Sequence, residues 1–198
     1  MIISSPSGGG KTSICRKLLT PSRKKLGWRF SISCTTRQRR RGERQGREYH
    51  FVGESDFQKK ADAGFFAEQF KVHLYNYGTP KGPLEKVLKQ GGVMLLDVDV
   101  QGAQRLKRVY KQAITIFILP PSTTVLRKRL KQRGTETKAQ LKVRFDNARK
   151  EMNLYHRFDY AVVNDDLSKA VKQVRTIIEA ASFRTENLPM EQKQRFGS

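Results

Sequence analysis

The stretch Ser4-Ser5-Pro6-Ser7-Gly8-Gly9-Gly10-Lys11-Thr12-Ser13 constrains this chain more than any other. Apolar Met1-Ile2-Ile3 precedes it, and Ile14 to Leu19 follow. A short strand therefore runs into a glycine-rich turn that opens a helix. Glycines let successive backbone N–H groups turn inward and form a concave cradle for phosphate oxygens. The helix adds its unpaired N-terminal N–H groups and the positive end of its dipole. In such a loop Lys11 reaches the β/γ-phosphates and the Thr12 hydroxyl ligates Mg²⁺. Gly10, Lys11 and Thr12 fit the pattern G-x-x-x-x-G-K-[ST], whereas Ser5 stands where its first glycine would be. A Gly/Ser linker before a chance lysine is the plain competitor, but a linker needs no strand before it and no helix after it.

At 198 residues the chain suits one α/β domain with excursions. Its longest apolar runs, such as Ile116 to Leu119, are far too short to span a bilayer. Glycines and Lys11 interrupt the opening apolar run, so no secretory leader is expected there. Cys15 and Cys34 lack metal-ligand spacing and read as reduced thiols of a cytoplasmic protein. His50, His73 and His156 are scattered and read as structural. The net charge of +22 calls for anionic partners: nucleotides, and at low salt non-specific nucleic acid.

Alternation predicts a half-buried strand over Trp28 to Ser33 that delivers the basic run from Cys34 to Glu43, whose hydroxyls and arginines suit phosphate. Strand-like Gly46 to Val52, a helix from Ser55 to Ala63 and a strand over Gly64 to Val72 follow. Tyr75 to Pro80 reads as a turn, and Pro21-Ser22 as a break leading into an exposed turn. Leu84 to Gln90 reads as a helix stopped by Gly91-Gly92. Val93 to Val100 is an almost continuous apolar run carrying Asp97 and Asp99, the mark of a buried parallel strand with its end at a ligand crevice. Further strands are expected over Ala113 to Leu119 and Phe158 to Asn164, and helices over Gln101 to Tyr110 and Leu167 to Phe183. Between them Arg127 to Arg149 is basic and poor in large apolar residues, a hairpin unlikely to have a core of its own and suited to a lid over phosphates. The alternation of strands and helices predicts a three-layer α/β fold. Its pieces are a core (1–32, 91–122, 151–185), an insertion (33–90), a lid (123–150) and a polar tail (186–198).

Taken together and in order, several segments resemble the guanylate kinases. They are Ser5 to Thr12, Ser33-Cys34-Thr35-Thr36-Arg37 with Arg40, Tyr49-His50-Phe51-Val52, Phe66-Ala67-Glu68 and Tyr77-Gly78-Thr79. Asp97 to Gly102, Ile116 to Pro121, Arg133-Gly134-Thr135 and Val162 to Asp166 complete the set. The resemblance spans Ile3 to about Ile178. It implies a nucleoside-monophosphate-kinase fold, with a parallel sheet core flanked by helices, a GMP-binding insertion and a helical lid. It also implies Mg²⁺-dependent phosphoryl transfer from ATP to GMP or dGMP. By the same resemblance Ser7, Gly8, Gly9, Gly10, Lys11, Thr12, Ser13 and Asn164 bind ATP, and Thr12 and Asp97 serve the metal. Ser33, Arg37, Arg40, Tyr49 and Tyr77 hold the GMP phosphate, while Glu68, Thr79 and Asp99 read guanine. Lys11, Arg133 and Arg144 neutralise the transferring phosphoryl group. No membrane partner is implied, and the chain is expected as a monomer or homodimer. The competing class is a catalytically inactive guanylate-kinase-like module that binds phosphopeptides. Such modules typically lack a complete phosphate loop and the lid arginines, and Lys11, Thr12, Arg133 and Arg144 are all present here.

Overall fold

Ile2, Ile3 and Ser4 form a three-residue strand (β1, Ile2–Ser4) that is buried at every position, because sheet neighbours flank it on both edges and helices cover both faces. The computed structural model describes residues 1–40, 42–72, 74–131, 138–187 and 194–195. After β1 come α1 (Lys11–Leu18), α2 (Pro21–Lys25), β2 (Trp28–Phe30), β3 (Cys34–Thr35), β4 (His50–Phe51) and α3 (Glu54–Asp62). Then follow β5 (Phe66–Val72), β6 (Tyr75–Pro80), α4 (Lys81–Lys89), β7 (Val93–Asp97), α5 (Val100–Val109) and β8 (Thr115–Leu119). The chain continues through α6 (Thr123–Lys131), α7 (Lys138–Met152), β9 (Tyr160–Val163) and α8 (Leu167–Ala181).

The core sheet is parallel throughout, in the order β2-β7-β1-β8-β9. Its inner strands β7, β1 and β8 read as near-continuous apolar runs because both faces are covered, whereas the edge strands β2 and β9 carry exposed positions. Ile3, Leu95, Ile116 and Ile118 pack with Ile14 and Leu18 of α1 and Val174 and Ile178 of α8. Their neighbours Ile2, Met94 and Leu96 pack with Leu84 of α4 and Ala103 and Leu106 of α5. Strand geometry sends successive side chains to opposite faces, so each two-residue step feeds one layer. The fold is the three-layer α/β arrangement with a parallel core expected from the sequence.

A second sheet, β4-β3-β6-β5, is built from the residues between β2 and α4. Here the structure corrects the sequence. Tyr75 to Pro80 is a six-residue strand that pairs antiparallel with both β5 and β3. Its Asn, Gly and Pro imitate a turn, but Gly78 is there for space: a Cβ would come within 2.7 Å of the Phe66 ring. Pro21 to Lys25 is likewise a short helix, with Pro21 in its first turn and Thr20 capping it through the Arg23 N–H. The α6–α7 hairpin also differs from expectation, because Leu126, Leu130 and Ala148 are buried together against Leu141, Phe145 and Met152. Helical spacing gathers these few residues on one seam, so the hairpin has a small core despite its composition.

Candidate functional site

The phosphate loop leaves the buried end of β1 and turns through Gly8 and Gly10, both at positive φ (88° and 97°). Neither could be replaced cheaply. A Cβ on Gly8 would press on Leu126 and Leu130 of α6, and one on Gly10 would overlap the Asn164 amide. Gly9 is equally enclosed, since a Cβ there would lie 2.8 Å from Ser5 Cβ and 3.1 Å from the Ile118 carbonyl. Ser5 is itself buried and donates to the Pro6 carbonyl at 2.9 Å. The Asn164 amide donates to the Gly9 carbonyl at 2.9 Å, tying the end of β9 to the loop.

Lys11 and Thr12 open α1, with the exposed Ser13 beside them. Lys11 Nζ lies 2.8 Å from one oxygen of Asp97, and the Thr12 hydroxyl donates to the other at 2.7 Å. Burial works against the Lys11 charge, but the Asp97 carboxylate outweighs it and lifts the pKa above the ordinary lysine value. Asp97 reaches this position because β7 ends beside β1 in parallel register, Ile3 opposite Asp97. A hydroxyl and a carboxylate at hydrogen-bond distance are hard oxygen donors that suit Mg²⁺. Among the described residues no cluster of three or more His, Cys, Asp or Glu could cage a metal. A cation at Thr12 and Asp97 would therefore also rest on phosphate oxygens and water.

From the other side α7 meets the loop at Ser7. Arg144 donates to Ser7 Oγ at 2.9 Å, and the Ser7 N–H donates to the Glu151 carboxylate at 3.2 Å. Arg133, Gly134 and Thr135 lie outside the described residues, as do His73 and most of the polar tail.

The second sheet supplies the remaining candidates. Arg37 is buried and bonds both oxygens of Glu43, at 2.8 and 3.0 Å, while its guanidinium faces the rings of Tyr49 and Phe51. Tyr49 and Tyr77 meet edge-on with ring centres 5.9 Å apart, and Tyr77 stacks on Phe70. Arg40 is exposed, and its backbone N–H is held by Glu43. Ser33 is half-buried where β2 leads into β3, and its carbonyl accepts from the His50 N–H.

Across β5 and β6, Glu68 and Thr79 face one another, and the Thr79 hydroxyl donates to Glu68 Oε1 at 2.7 Å. Glu68 Oε2 is buried with no hydrogen-bond partner among the described residues. Burial first, then the nearby Asp99 charge, push the Glu68 pKa up from 4.5 to about 7, although the Thr79 bond and Arg105 pull the other way. Asp99 is also raised by burial, and it caps α5 by accepting from the Gly102 N–H at 2.7 Å. Its cap role and its place beside Glu68 coexist because the cap uses Oδ1. The strand expected over Val93 to Val100 stops at Asp97, the last residue of β7, so Asp99 lies beyond it.

Three acids and one base escaped the sequence reading of the site. Glu43 stands at the end of the arginine run it neutralises, and one acid among four arginines was its available signal. Glu48 bridges the Arg16 guanidinium of α1 and the Arg47 side chain. Glu151 and Arg105 carry no local signal, because their partners are distant in sequence.

The family model described as "Guanylate kinase" matches residues 1–181. The guanylate kinase of Clostridium tetani is 43% identical over 188 residues, covering 95% of this chain and 88% of that protein. That of Porphyromonas gingivalis is 44% identical over 180 residues, covering 90% of this chain and 95% of the relative. The crystal structure of guanylate kinase from Anaplasma phagocytophilum is similar in fold, with a TM-score of 0.80 and 28% identity over 97% of this chain and 90% of that one. Matched by the family model over residues 1–181 and by relatives more than 40% identical over nine-tenths or more of its length, the chain belongs to the guanylate kinase family.

Proposed function

We propose that this chain transfers the γ-phosphoryl group of ATP to GMP or dGMP, giving ADP and the nucleoside diphosphate. The observation that carries the reading is the orphan Oε2 of Glu68 beside Thr79 and Asp99. Guanine presents N1–H and N2–H donors that two carboxylates accept, and adenine has neither. Binding adenine would leave these buried acceptors unpaired, and polar discrimination of this kind can reach roughly 10⁴-fold. In the same reading Arg37, Tyr49 and Tyr77, with Ser33 and Arg40, hold the GMP phosphate; guanidinium forks and hydroxyls match its oxygens.

On the ATP side, the loop from Ser7 to Ser13 cradles the triphosphate, and Asn164 lies toward its adenine. Lys11 leaves Asp97 for the phosphate oxygens. A phosphate oxygen of GMP attacks the γ-phosphorus as the bond to the ADP oxygen breaks, with no covalent enzyme intermediate. Lys11, Arg144 and Arg133 neutralise the charge that develops, and the protein contributes chiefly position and electrostatics. Thr12, and Asp97 through water, would hold Mg²⁺, which would supply positive charge against that of the phosphate oxygens. The insertion at 33–90 and the lid at 123–150 close on the core at 1–32, 91–122 and 151–185, excluding water during transfer.

Among the described residues no helix is long and apolar enough to cross a membrane. A cytoplasmic setting accords with two cysteines that are both free and buried. No acidic residue occurs between Met1 and Gly42, and Lys17, Lys24, Lys25 and Arg29 within that stretch are exposed. That corner should bind nucleic acid weakly and with steep salt dependence. An RNA gel shift present at 50 mM salt and gone at 500 mM is expected (both about, for screening lengths of roughly 14 and 4 Å); no shift at low salt ends that idea.

An ADP-release assay with ATP and Mg²⁺ tests the main reading by comparing GMP and dGMP with AMP, CMP and UMP. Turnover restricted to the guanine nucleotides is expected. A folded protein that turns over none of them but binds phosphopeptides would replace the kinase reading with the inactive module, which the complete phosphate loop and Arg144 disfavour.

A further inference from the structure

Ser7 occupies an unspecified position of the phosphate-loop pattern, yet α7 grips it twice. Arg144 and Glu151 are seven residues apart in α7, two helical turns, and therefore project from one face of the helix. The first donates to the Ser7 hydroxyl and the second accepts the Ser7 N–H. On the adjoining residue, Leu126 and Leu130 of α6 close over Gly8, 3.1 and 3.2 Å from where a Cβ would sit. The hairpin thus holds two consecutive loop residues with an apolar contact and a polar one.

A carboxylate beside a loop built for phosphate is electrostatically unfavourable to the nucleotide. A charge so placed needs a compensating job. We propose that Glu151 is a positioning residue: by taking the Ser7 N–H it indexes α7 to the phosphate loop and thereby presents Arg144 to the transferring phosphoryl group. In this role Glu151 meets the Ser7 N–H rather than the nucleotide. It acts through the helix, whose rigidity over two turns converts a fixed point at 151 into a fixed guanidinium at 144. A misplacement of about 1 Å at a reacting group can cost roughly 10²-fold, so an anchor of this kind is worth a charge in an awkward place. The inference rests on the phosphotransferase reading above, because Arg144 matters only if a phosphoryl group moves.

The test is a double-mutant cycle on the whole protein, with kcat and the KM values for GMP and ATP measured for each member. Glu151→Ala is expected to lower kcat about ten- to a hundredfold, the worth of a hydrogen bond to a charged group. The GMP KM should stay within about twofold, since the guanine end is untouched. Glu151→Gln keeps a carbonyl acceptor for the Ser7 N–H and should recover most of the loss. In an Arg144→Ala background, Glu151→Ala should cost almost nothing more, because the group it positions is gone. A purely structural role would instead lower the melting temperature and multiply with Arg144→Ala. Full additivity in the cycle, or no rescue by Gln, overturns the proposal. So does a rise in kcat for Glu151→Ala, which would make the contact a brake. Inactive wild type would instead remove the reading beneath it, and the two failures cannot be confused.

Discussion

The pair Glu68–Thr79 and the loop around Lys11 present their polar groups in opposite states. At the guanine end a buried acceptor, Glu68 Oε2, has no partner among the described residues, and the carboxyl bearing it is pushed up to about 7 by burial and Asp99. Around the phosphate loop the polar groups have stand-in partners: Lys11 sits on Asp97, and the Thr12 hydroxyl on the same carboxylate. An unsatisfied buried group costs free energy until a ligand of the right pattern arrives, which makes it a device for selection. A satisfied group must exchange partners, which makes it a device for switching. On the proposed reading, specificity rests on a paired β-hairpin and the chemistry on a loop and a helical hairpin.

Lys11→Met breaks the comparison hardest. Removing the only side-chain cation that opens α1 should lower kcat about a thousandfold or more, on the scale of losing a charged group that stabilises transferred phosphoryl oxygens. GMP binding, followed by titration calorimetry, should change little, because Lys11 acts on the Glu68, Thr79 and Asp99 group only through its charge on Asp99. If GMP affinity collapsed with turnover, the two ends would not be separable.

Glu68→Gln attacks the other end. The amide places a donor where guanine also donates, so the GMP KM should rise roughly a hundredfold while kcat at saturation changes less. Protonation should imitate the mutation in the wild type. With a free-enzyme pKa of about 7, GMP should bind about tenfold more weakly at pH 6 than at pH 8, and the variant should lose that slope. Stability runs with the opposite sign. The folded pKa lies above the unfolded value of 4.5, so Glu68's contribution is intact below pH 4.5 and is lost as pH rises through about 7. Melting curves at pH 5 and pH 8 should show the variant gaining on the wild type at the higher pH. Parallel shifts at both would assign the raised pKa no energetic weight.

The same contrast explains what could be read before the structure. The loop, its helix and Asp97 were legible because the motif is local and the buried strand carrying Asp97 is an unbroken apolar run. The three-layer core followed from the alternation of strands with helices along the chain. The guanine end was legible only through family resemblance, since nothing local ties Glu68 to Thr79. Their meeting depends on the pairing of β5 with β6, and β6 itself looked like a turn. Glu151 was invisible for a further reason: its partner Ser7 is 144 positions away, and only the packing of α7 on the loop joins them.

Ser5→Gly should have the smallest effect, although it restores the first glycine of the strict loop pattern. Ser5 is 5% exposed, its hydroxyl satisfies the neighbouring Pro6 carbonyl, and its Cβ fills the space over Gly9. The loop has thus transferred the need for a bare Cα from position 5 to position 9, where Ser5 and the Ile118 carbonyl exclude any side chain. Glycine at 5 would lose that contact and one local hydrogen bond, and would free the unfolded chain, at a cost of about 1 kcal/mol or less. For a chain of this size that lowers Tm by roughly 2–4 °C at most. Turnover should stay within about twofold, because no group that meets phosphate is displaced. A tenfold change in kcat in either direction would mean that residue 5 sets the curvature of the cradle, and that the loop's tolerance of serine is functional rather than a matter of packing.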